Sequence, residues 1–391
     1  MKKTEIFLLL FISLTGVLFG WWTGYPLYNY EAEVNDARCE ALGRTSILTS
    51  SHSNLTFNNP AMLSLLTKKN AQAGLRLLSG FSRITIKDED NDENSYNYQN
   101  PIHPKLTSLS VNIPYSKNEK DNTSIGLGIG YRTYYDRGAN LKYKSDNSGK
   151  NKILRHGGLN TIVLAIGYRS EYKYCSGISY SIPVFSEYSS RHYRNGDVIS
   201  EYEGSMKGSF FTLSGTYKLN EKILFGARIR LSYDLETEEI DFDGETDNFV
   251  TKIPSEIGLA LEYKPNTKYK VYLEYLTRNF PEYSFLDLNN GFAIRSGIEF
   301  KSNILYRGGL FIQSVPIFEI ISFNDFGPDP LKEFGVTAGA GLRLTPLLIL
   351  DIFGAFSFFS NEINFEGPDS NYEEKNFYSQ VKLGCTVGYS F

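Results

Sequence analysis

The feature that most constrains this sequence is a unit repeated from about Gln72 to Phe391, in which about ten residues of alternating apolar and polar type are followed by a turn. Alternation with a period of two is typical of β-strands, and helical periodicity is nearly absent from this part of the chain. We predict fourteen strands, near 72–87, 106–116, 123–142, 154–169, 173–186, 205–218, 222–236, 252–263, 269–278, 291–300, 304–315, 333–344, 347–359 and 376–391.

The connections between these strands alternate in length. Short turns are expected at Lys117–Asn122, Ser170–Tyr172, Leu219–Glu221, Lys264–Lys268, Lys301–Asn303 and Thr345–Pro346, and longer ones near 88–105, 143–153, 187–204, 237–251, 279–290, 316–332 and 360–375. Bacterial outer-membrane barrels have an even number of strands, short periplasmic turns and long external loops. The sequence therefore predicts an all-β fold, a transmembrane antiparallel β-barrel of about fourteen strands, located in the outer membrane with both termini periplasmic.

The alternation also assigns faces, because successive side chains of a strand point to opposite sides. In the strand near 222–236, Phe225, Ile229 and Tyr233 are expected to face lipid, opposite Arg228 and Arg230. A charge that faces lipid near the midplane of the membrane costs about 2–4 kcal/mol, which explains why the positions on one face of each strand are free of charges. A soluble β-sandwich, the structural alternative, would put its charges outside and its large apolar residues inside.

The first seventy residues differ from the rest. Lys2 and Lys3, an apolar run to Phe19 and the small Gly20 have the three parts of a secretory signal. Residues 21–70 lack sustained alternation. We predict a signal peptide at 1–20, a plug or hatch segment at 21–70 and a barrel at 71–391.

Composition and motifs argue against several classes of protein. The formal net charge of −4 is spread along the chain, whereas a nucleic-acid-binding protein would show a basic face. The chain has four His, no pair of them at metal-ligand spacing, and no nucleophile elbow or P-loop. We expect no enzyme, no cofactor and no metal site, and we read the Gly126, Gly128 and Gly130 repeat as glycines that face the lumen and leave space for a plug or ligand.

Six arginines stand at the alternate strand positions that are predicted to face the lumen. They either bind the head group of a ligand or brace the barrel by pairing with the inward Glu256, Glu262, Glu274 and Glu299. These candidates are Arg132, Arg228, Arg230, Arg295, Arg307 and Arg343. A guanidinium binds a carboxylate in a fork, so either partner is chemically suitable. Pro114, Pro183 and Pro254 stand inside or at the ends of predicted strands, where one of them would mark a kink in the wall.

Several of these features together resemble a known family. The Ala41-Leu42-Gly43 stretch, the Asn59-Pro60-Ala61 triplet, the fourteen strands and the terminal Phe391 are similar to those of the long-chain fatty-acid outer-membrane transporters, some of which import aromatic hydrocarbons. The resemblance implies that Asn59, Pro60 and Ala61 lie in a hatch inside the barrel, and that the function is passive uptake of a hydrophobic or amphipathic small molecule. Met62 and Leu63 depart from the family pattern, in which a Gly often follows the triplet.

The same architecture also resembles a protein-secretion shuttle subunit, so a barrel that binds protein cargo is the alternative function. The expected partners are outer-membrane lipid, a hydrophobic ligand and the barrel assembly machinery. Tyr389 and Phe391 are the expected assembly signal, because a terminal aromatic residue preceded by apolar residues at alternate positions is typical of such barrels.

Overall fold

The computed structural model describes residues 36–49, 55–87, 93–118, 122–136, 139–145, 149–171, 173–241, 244–253, 255–279, 291–315, 331–366 and 371–391. The expected signal peptide, the acidic residues from Asp88 to Asp92 and Pro254 lie outside these ranges. Among the described residues no helix is long and apolar enough to cross a membrane.

Two short α-helices and one 3-10 helix precede the strands. They are α1 (Ala37–Ala41), α2 (Leu55–Asn58) and the 3-10 helix Pro60–Leu65. The strands are β1 (Asn70–Lys87), β2 (Glu93–Asn118), β3 (Thr123–Asp136), β4 (Ala139–Ser145), β5 (Gly149–Ser170), β6 (Tyr174–Pro183), β7 (Glu187–Arg194), β8 (Asp197–Lys207), β9 (Phe210–Lys218), β10 (Ile223–Arg230), β11 (Tyr233–Asp241), β12 (Thr246–Ile253), β13 (Ser255–Tyr263), β14 (Tyr269–Asn279), β15 (Gly291–Lys301), β16 (Leu305–Val315), β17 (Leu331–Arg343), β18 (Leu348–Glu366) and β19 (Asn371–Ser390).

Fourteen of these strands form a closed antiparallel barrel. The wall runs β1-β2-β3-β5-β6-β9-β10-β13-β14-β15-β16-β17-β18-β19, and β19 pairs with β1 along the whole of β1, from Asn70 opposite Ser390 to Lys87 opposite Glu373. Closure leaves no unpaired edge, which a sheet in lipid requires because no water is present to satisfy the backbone. The predicted number of wall strands is confirmed.

Five further strands lie outside the wall. β4, the first part of β5, β7, β8, β11 and β12 pair in that order to form a second sheet, which we call the outer sheet. β5 belongs to both sheets and leaves the wall at Gly157 and Gly158, whose φ angles are 86° and 139°. A side chain at Gly157 would also place its Cβ 2.0 Å from the Glu187 carbonyl oxygen, so this crossing point requires glycine.

The outer sheet corrects part of the sequence analysis. The strand predicted at 123–142 is two strands, β3 and β4, and the connections expected near 143–153, 187–204 and 237–251 contain outer-sheet strands. The connections expected at 88–105 and 360–375 are largely strand residues of β2, β18 and β19. A strand outside the lipid can carry polar side chains on both faces, so it does not show the alternation of apolar and polar residues from which the strands were predicted.

In the strands of the wall, the inner and outer faces follow the predicted alternation of polar and apolar residues. On β15, Ile294 and Ile298 are about half exposed on the outer surface, whereas Arg295 is 1% and Glu299 5% exposed. The last strand repeats the pattern, with Lys382 and Thr386 buried and Val387 exposed. Charged side chains thus lie inside, where protein atoms replace their water.

The expected orientation of Tyr233 is wrong. Leu231 and Ser232 lie between the end of β10 and the start of β11, and both are exposed. The alternation of inward and outward side chains therefore shifts by one residue. Tyr233 is buried inside the barrel and stacks on Phe210, with ring centroids 4.7 Å apart. A shift of one residue moves every later side chain to the other face.

Of the three prolines named in the sequence analysis, Pro114 and Pro183 are described, and both are placed where the lost N–H does little harm. Pro114 lies at a register irregularity between β2 and β3, and Pro183 is the last residue of β6. A second irregularity, between Thr133 and Tyr135 on β3, brings Tyr134 to the inner face, where it is 3% exposed. Bulges of this kind redirect a side chain at the cost of one ladder pair.

Candidate functional site: the plugged lumen

Two described parts of the chain before β1 lie inside the barrel, and we call them the first plug segment (residues 36–49) and the second plug segment (residues 55–66). α1 begins the first segment because the Asp36 carboxylate caps it, accepting a hydrogen bond from the Arg38 N–H at 2.7 Å. The Ala37 N–H donates to Thr386 of the wall at 2.9 Å, and the Gly43 N–H to Thr337, also at 2.9 Å. Wall hydroxyls thus satisfy the plug backbone.

An ionic cluster joins α1 to the wall near the short turns. Glu299 accepts a hydrogen bond from Arg38, with Nη2 to Oε1 at 3.2 Å, and another from Arg307, with Nε to Oε2 at 2.8 Å. Arg307 continues to Asp351, its Nη1 lying 2.6 Å from Oδ1. The cluster spans β15, β16 and β18, so it ties three wall strands to the plug.

A second ionic cluster lies on the other side of the first plug segment. Arg44 forks onto Glu333, with its two terminal nitrogens 3.1 and 3.2 Å from the two carboxylate oxygens. Glu274 accepts the Ser46 and Ile47 backbone N–H groups, each at 2.7 Å, and Arg295 donates to both Glu274 and the Arg44 carbonyl. One wall carboxylate therefore binds the plug backbone directly while a wall guanidinium neutralises it.

The second plug segment is held differently. Its sequence from Leu55 to Leu66 contains no charged residue. The Ala61 N–H donates to Ser214 at 2.9 Å, the Ser64 carbonyl accepts from Ser124 at 2.6 Å, and Thr56 bonds Asn112. Neutral hydrogen bonds hold this segment to β2, β3 and β9.

Inward glycines of the wall let both plug segments approach the strand backbones. A Cβ added at any of them would lie 2.1–2.7 Å from the nearest plug atom. They are Gly126, Gly128, Gly130, Gly167, Gly177, Gly226, Gly258, Gly297, Gly309 and Gly339. The first three of them form the repeat that was predicted to leave space for a plug, and they face Leu63, Thr56 and Phe57.

An aromatic cluster covers the plug on the side of the long connections. At its centre the Phe210 ring contacts the rings of Tyr134 and Tyr233. These three side chains pack with Leu159, Tyr188, Met206 and Ile253. The Arg132 guanidinium lies 4.9 Å from the Tyr134 ring centroid and 5.5 Å from that of Phe57, and the Arg230 guanidinium lies 5.6 Å from the Tyr134 ring. Apolar rings and cationic groups thus share one buried site.

The structure separates the six candidate arginines into three groups. Arg228, Arg295 and Arg307 are buried and lie against carboxylates, with Arg228 on Glu256. Arg132 and Arg230 are buried beside the aromatic cluster, and Arg230 also lies 3.8 Å from Glu256. Arg343, by contrast, is the last residue of β17 and is exposed at the short-turn rim, so it is not part of the lumen.

The hatch triplet lies inside the barrel. Asn59 donates its side-chain N–H to the Ile47 carbonyl at 2.6 Å, which joins the two plug segments, while Pro60 and Ala61 pack against Gly167 and Gly177. Tyr389 and Phe391 stack on each other, and the Phe391 N–H donates to the Lys69 carbonyl at 3.0 Å. Their part in assembly stays a prediction.

Sequence reasoning missed the plug's own charges and two of their wall partners. Arg38 and Arg44 lie in a segment without periodicity, and Glu333 and Asp351 were not named among the inward acids. The parity of β17 was an available signal, because Glu333 shares it with Gly335 and Thr337, both buried.

Within the described ranges no three His, Cys, Asp or Glu side chains lie close enough to hold a metal ion. Burial, and after it the nearby Asp36 carboxylate, raises the pKa of the Cys39 thiol well above its usual range. A protonated buried thiol is a poor nucleophile.

The fold and this interior define a class: a fourteen-stranded membrane-type β-barrel whose lumen holds its own N-terminal segment. No protein-family model and no curated protein sequence matches the chain. Solved structures do. A homologue of FadL from Pseudomonas aeruginosa is 11% identical, with a TM-score of 0.61 over 91% of this chain and 98% of that one.

Two toluene transporters have the same architecture. TodX of Pseudomonas putida is 14% identical, with a TM-score of 0.57 over 92% of this chain and 99% of that one. TbuX of Ralstonia pickettii is 12% identical, with a TM-score of 0.55 over 90% of this chain and 99% of that one. At these identities the similarity establishes the fold, which is that of the FadL-type outer-membrane barrels.

Proposed function

We propose that this protein is a passive outer-membrane transporter for hydrophobic or amphipathic small molecules. The observation that carries the proposal is the buried aromatic cluster with Arg132 and Arg230, placed directly over a plug. Rings of Tyr134 and Phe210 suit an apolar body, and a guanidinium suits a carboxylate head group. The fold similarity to transporters of toluene supports the same function.

In this proposal residues 1–20 are a signal peptide, residues 21–70 the hatch and residues 71–391 the barrel. The long connections and the outer sheet face the medium, and both termini face the periplasm. Arg228, Arg295 and Arg307 brace the wall and the plug, while Arg132 and Arg230 contact the ligand. The ligand passes when the second plug segment moves, because that segment is held by neutral hydrogen bonds and the first by ion pairs.

This proposal can be tested by measuring uptake while a reversible disulfide holds the second plug segment to the wall. A Cβ at Gly128 would lie 3.2 Å from the Thr56 Cβ, a few tenths of an ångström below the ~3.5–4.5 Å Cβ separation of a disulfide. We would express T56C/G128C, with Cys39, Cys175 and Cys385 replaced by Ala, in a host without its own hydrocarbon transporter, and follow radiolabelled oleate and toluene. We expect uptake in the reduced protein and little in the oxidised one.

The matched control is the same triple-alanine background without the two new cysteines, which oxidant should leave unaffected. Absence of uptake by the correctly inserted triple-alanine background would reject small-molecule transport and favour the alternative of a protein-binding or secretion-shuttle barrel. Equal uptake in the oxidised and reduced states, with the cross-link verified by electrophoresis, would reject the moving second plug segment.

A further inference from the structure

The outward face of the wall contains a groove of about 850 Å³ that crosses β9, β10 and β13. Its floor includes Gly215 and Ala227, which stand opposite each other in the ladder between β9 and β10. A Cβ added at Gly215 would meet a single atom within 4 Å, the Cys175 carbonyl oxygen at 3.6 Å, so the space above this residue is open. Sites for small molecules typically have volumes of ~300–1,000 Å³. We call this cavity the lipid-side groove.

Apolar side chains surround the lipid-side groove. The row of outward residues that starts at its floor continues across the sheet into Leu259, Tyr275 and Ile294. On the side of the short turns the rings of Tyr174 and Tyr217 border the groove, stacked with their centroids 5.0 Å apart. Tyrosine is enriched where hydrocarbon meets the lipid head groups. These two rings therefore mark the head-group boundary of the groove.

The short turns beyond these rings carry two exposed lysines. Lys173 directly precedes Tyr174, and Lys222 lies three residues before Phe225, a further residue of the groove. Three residues span ~10 Å along a strand, or ~7 Å along the membrane normal at the usual tilt of a barrel strand. The head-group region on each side of the hydrocarbon core is ~5–8 Å deep. Both lysines thus lie at the depth of the lipid phosphates.

The two exposed lysines differ from their neighbours in having no carboxylate partner. The neighbours, Lys218 and Lys264, form ion pairs with Glu221 and Glu262, each at 2.6 Å. Within the described part of the chain no carboxylate forms such a pair with either exposed lysine. The backbone carbonyl of each exposed lysine nevertheless accepts from the N–H of a neighbour, at 2.9 and 2.8 Å. Two positive charges that no acid neutralises are therefore held next to the groove.

We propose that the lipid-side groove, together with Lys173 and Lys222, binds one anionic glycerophospholipid of the periplasm-facing leaflet. Its acyl chains fill the groove and its phosphate lies between the two ammonium groups. A groove that is apolar along its length and positively charged at one end is complementary to a molecule with apolar tails and one anionic head group. Lysine is a flexible point charge that accepts a phosphate in varied positions. The proposal is independent of transport, and the proposed orientation decides only which leaflet supplies the lipid.

The test is lipid binding by the full-length protein in detergent, measured by native mass spectrometry. The probe is dioleoyl phosphatidylglycerol, and dioleoyl phosphatidylcholine, which has the same tails and no net charge, is the comparison. The first variant is K173Q/K222Q. Its matched control is K207Q/K332Q, which removes two exposed lysines on the side of the long connections.

A second variant tests the groove itself. In G215L the new side chain occupies the open floor from the lipid side. The matched control is G308L, because Gly308 of β16 also faces outward, lies outside the groove, and would place a Cβ within 4 Å of a single atom, the Thr337 carbonyl oxygen at 3.8 Å.

We expect K173Q/K222Q to bind phosphatidylglycerol about 25-fold more weakly than the wild type, since each lysine near the head groups strengthens binding of an anionic lipid about fivefold. Its affinity for phosphatidylcholine should stay unchanged. G215L should weaken binding of both lipids by a similar factor, and both controls should bind like the wild type. High salt should weaken binding of phosphatidylglycerol to the wild type and leave phosphatidylcholine unaffected, which keeps the test valid if a variant fails to fold.

Three results would overturn the proposal. The first is equal affinity of the wild type for the two lipids, and the second is equal affinity of K173Q/K222Q and the wild type for phosphatidylglycerol. The third is binding of both lipids to G215L as tightly as to the wild type, because the acyl chains would then lie elsewhere on the wall.

Discussion

Arg44 of the plug and Glu333 of β17 form a two-point ion pair inside the barrel, although 289 residues separate them in sequence. Gln313 of β16 donates to the same carboxylate at 2.7 Å, and the Arg44 guanidinium also lies 3.8 Å from the Phe311 ring centroid. The pair thus sits in a shell of wall side chains, and it fixes the first plug segment to two strands.

Replacing Glu333 by Gln should loosen this attachment. Removing one partner of a buried pair costs ~3–5 kcal/mol, and the lower end applies here because Glu40 also lies 3.4 Å from Arg44. We expect a lower urea midpoint of unfolding and faster trypsin cleavage after Arg44. The control is E201Q, which breaks the exposed pair with Arg191 and should leave both measurements near the wild-type values.

Replacing Gly177 by Ala should displace the second plug segment. The added Cβ would lie 2.2 Å from the Ala61 backbone nitrogen, and neither backbone can move freely. We expect frequent transient openings in planar-bilayer recordings. Gly388 is the matched control, because it also lies in the wall and its Cβ would meet nothing within 4 Å. Quiet recordings from G177A, or openings of equal frequency in G388A, would contradict this close packing.

Arg132 should distinguish ligand binding from bracing. In R132M the apolar body of the ligand keeps its contacts and the carboxylate loses a charged donor, which is worth about tenfold in affinity. We expect oleate uptake to fall by about that factor and toluene uptake to stay unchanged. Equal loss of both, together with a lower unfolding midpoint, would make Arg132 a brace like Arg228.

The orientation has its own test. A protease site inserted between Asn195 and Gly196, in the exposed turn from β7 to β8, should be cut in whole cells. The same site after Asn266, in the short turn from β13 to β14, should be cut only after the outer membrane is opened. The reverse pattern would place the short turns outside and would overturn the proposed orientation.

The wall was predictable because lipid imposes a two-residue period on each strand, and the same period put Arg228, Arg295 and Arg307 inside. Tyr233 was misplaced because one extra residue between β10 and β11 reverses the alternation without any change in composition. The outer sheet was missed for another reason: strands such as β7 and β8 carry polar residues on both faces and have no apolar stripe to detect. The pairing of Arg44 with Glu333 was beyond reach, since contacts between distant segments leave no local pattern.

Single-channel conductance in planar bilayers tests the plugged barrel most directly. A fourteen-stranded wall encloses more space than its own side chains fill, by comparison with the ~8 strands at which they just suffice. The intact protein should therefore show no steady ion current, and a variant lacking residues 36–66 should show large, constant channels. A current through the intact protein equal to that of the deletion variant would contradict the plug and, with it, selective passage of hydrophobic molecules.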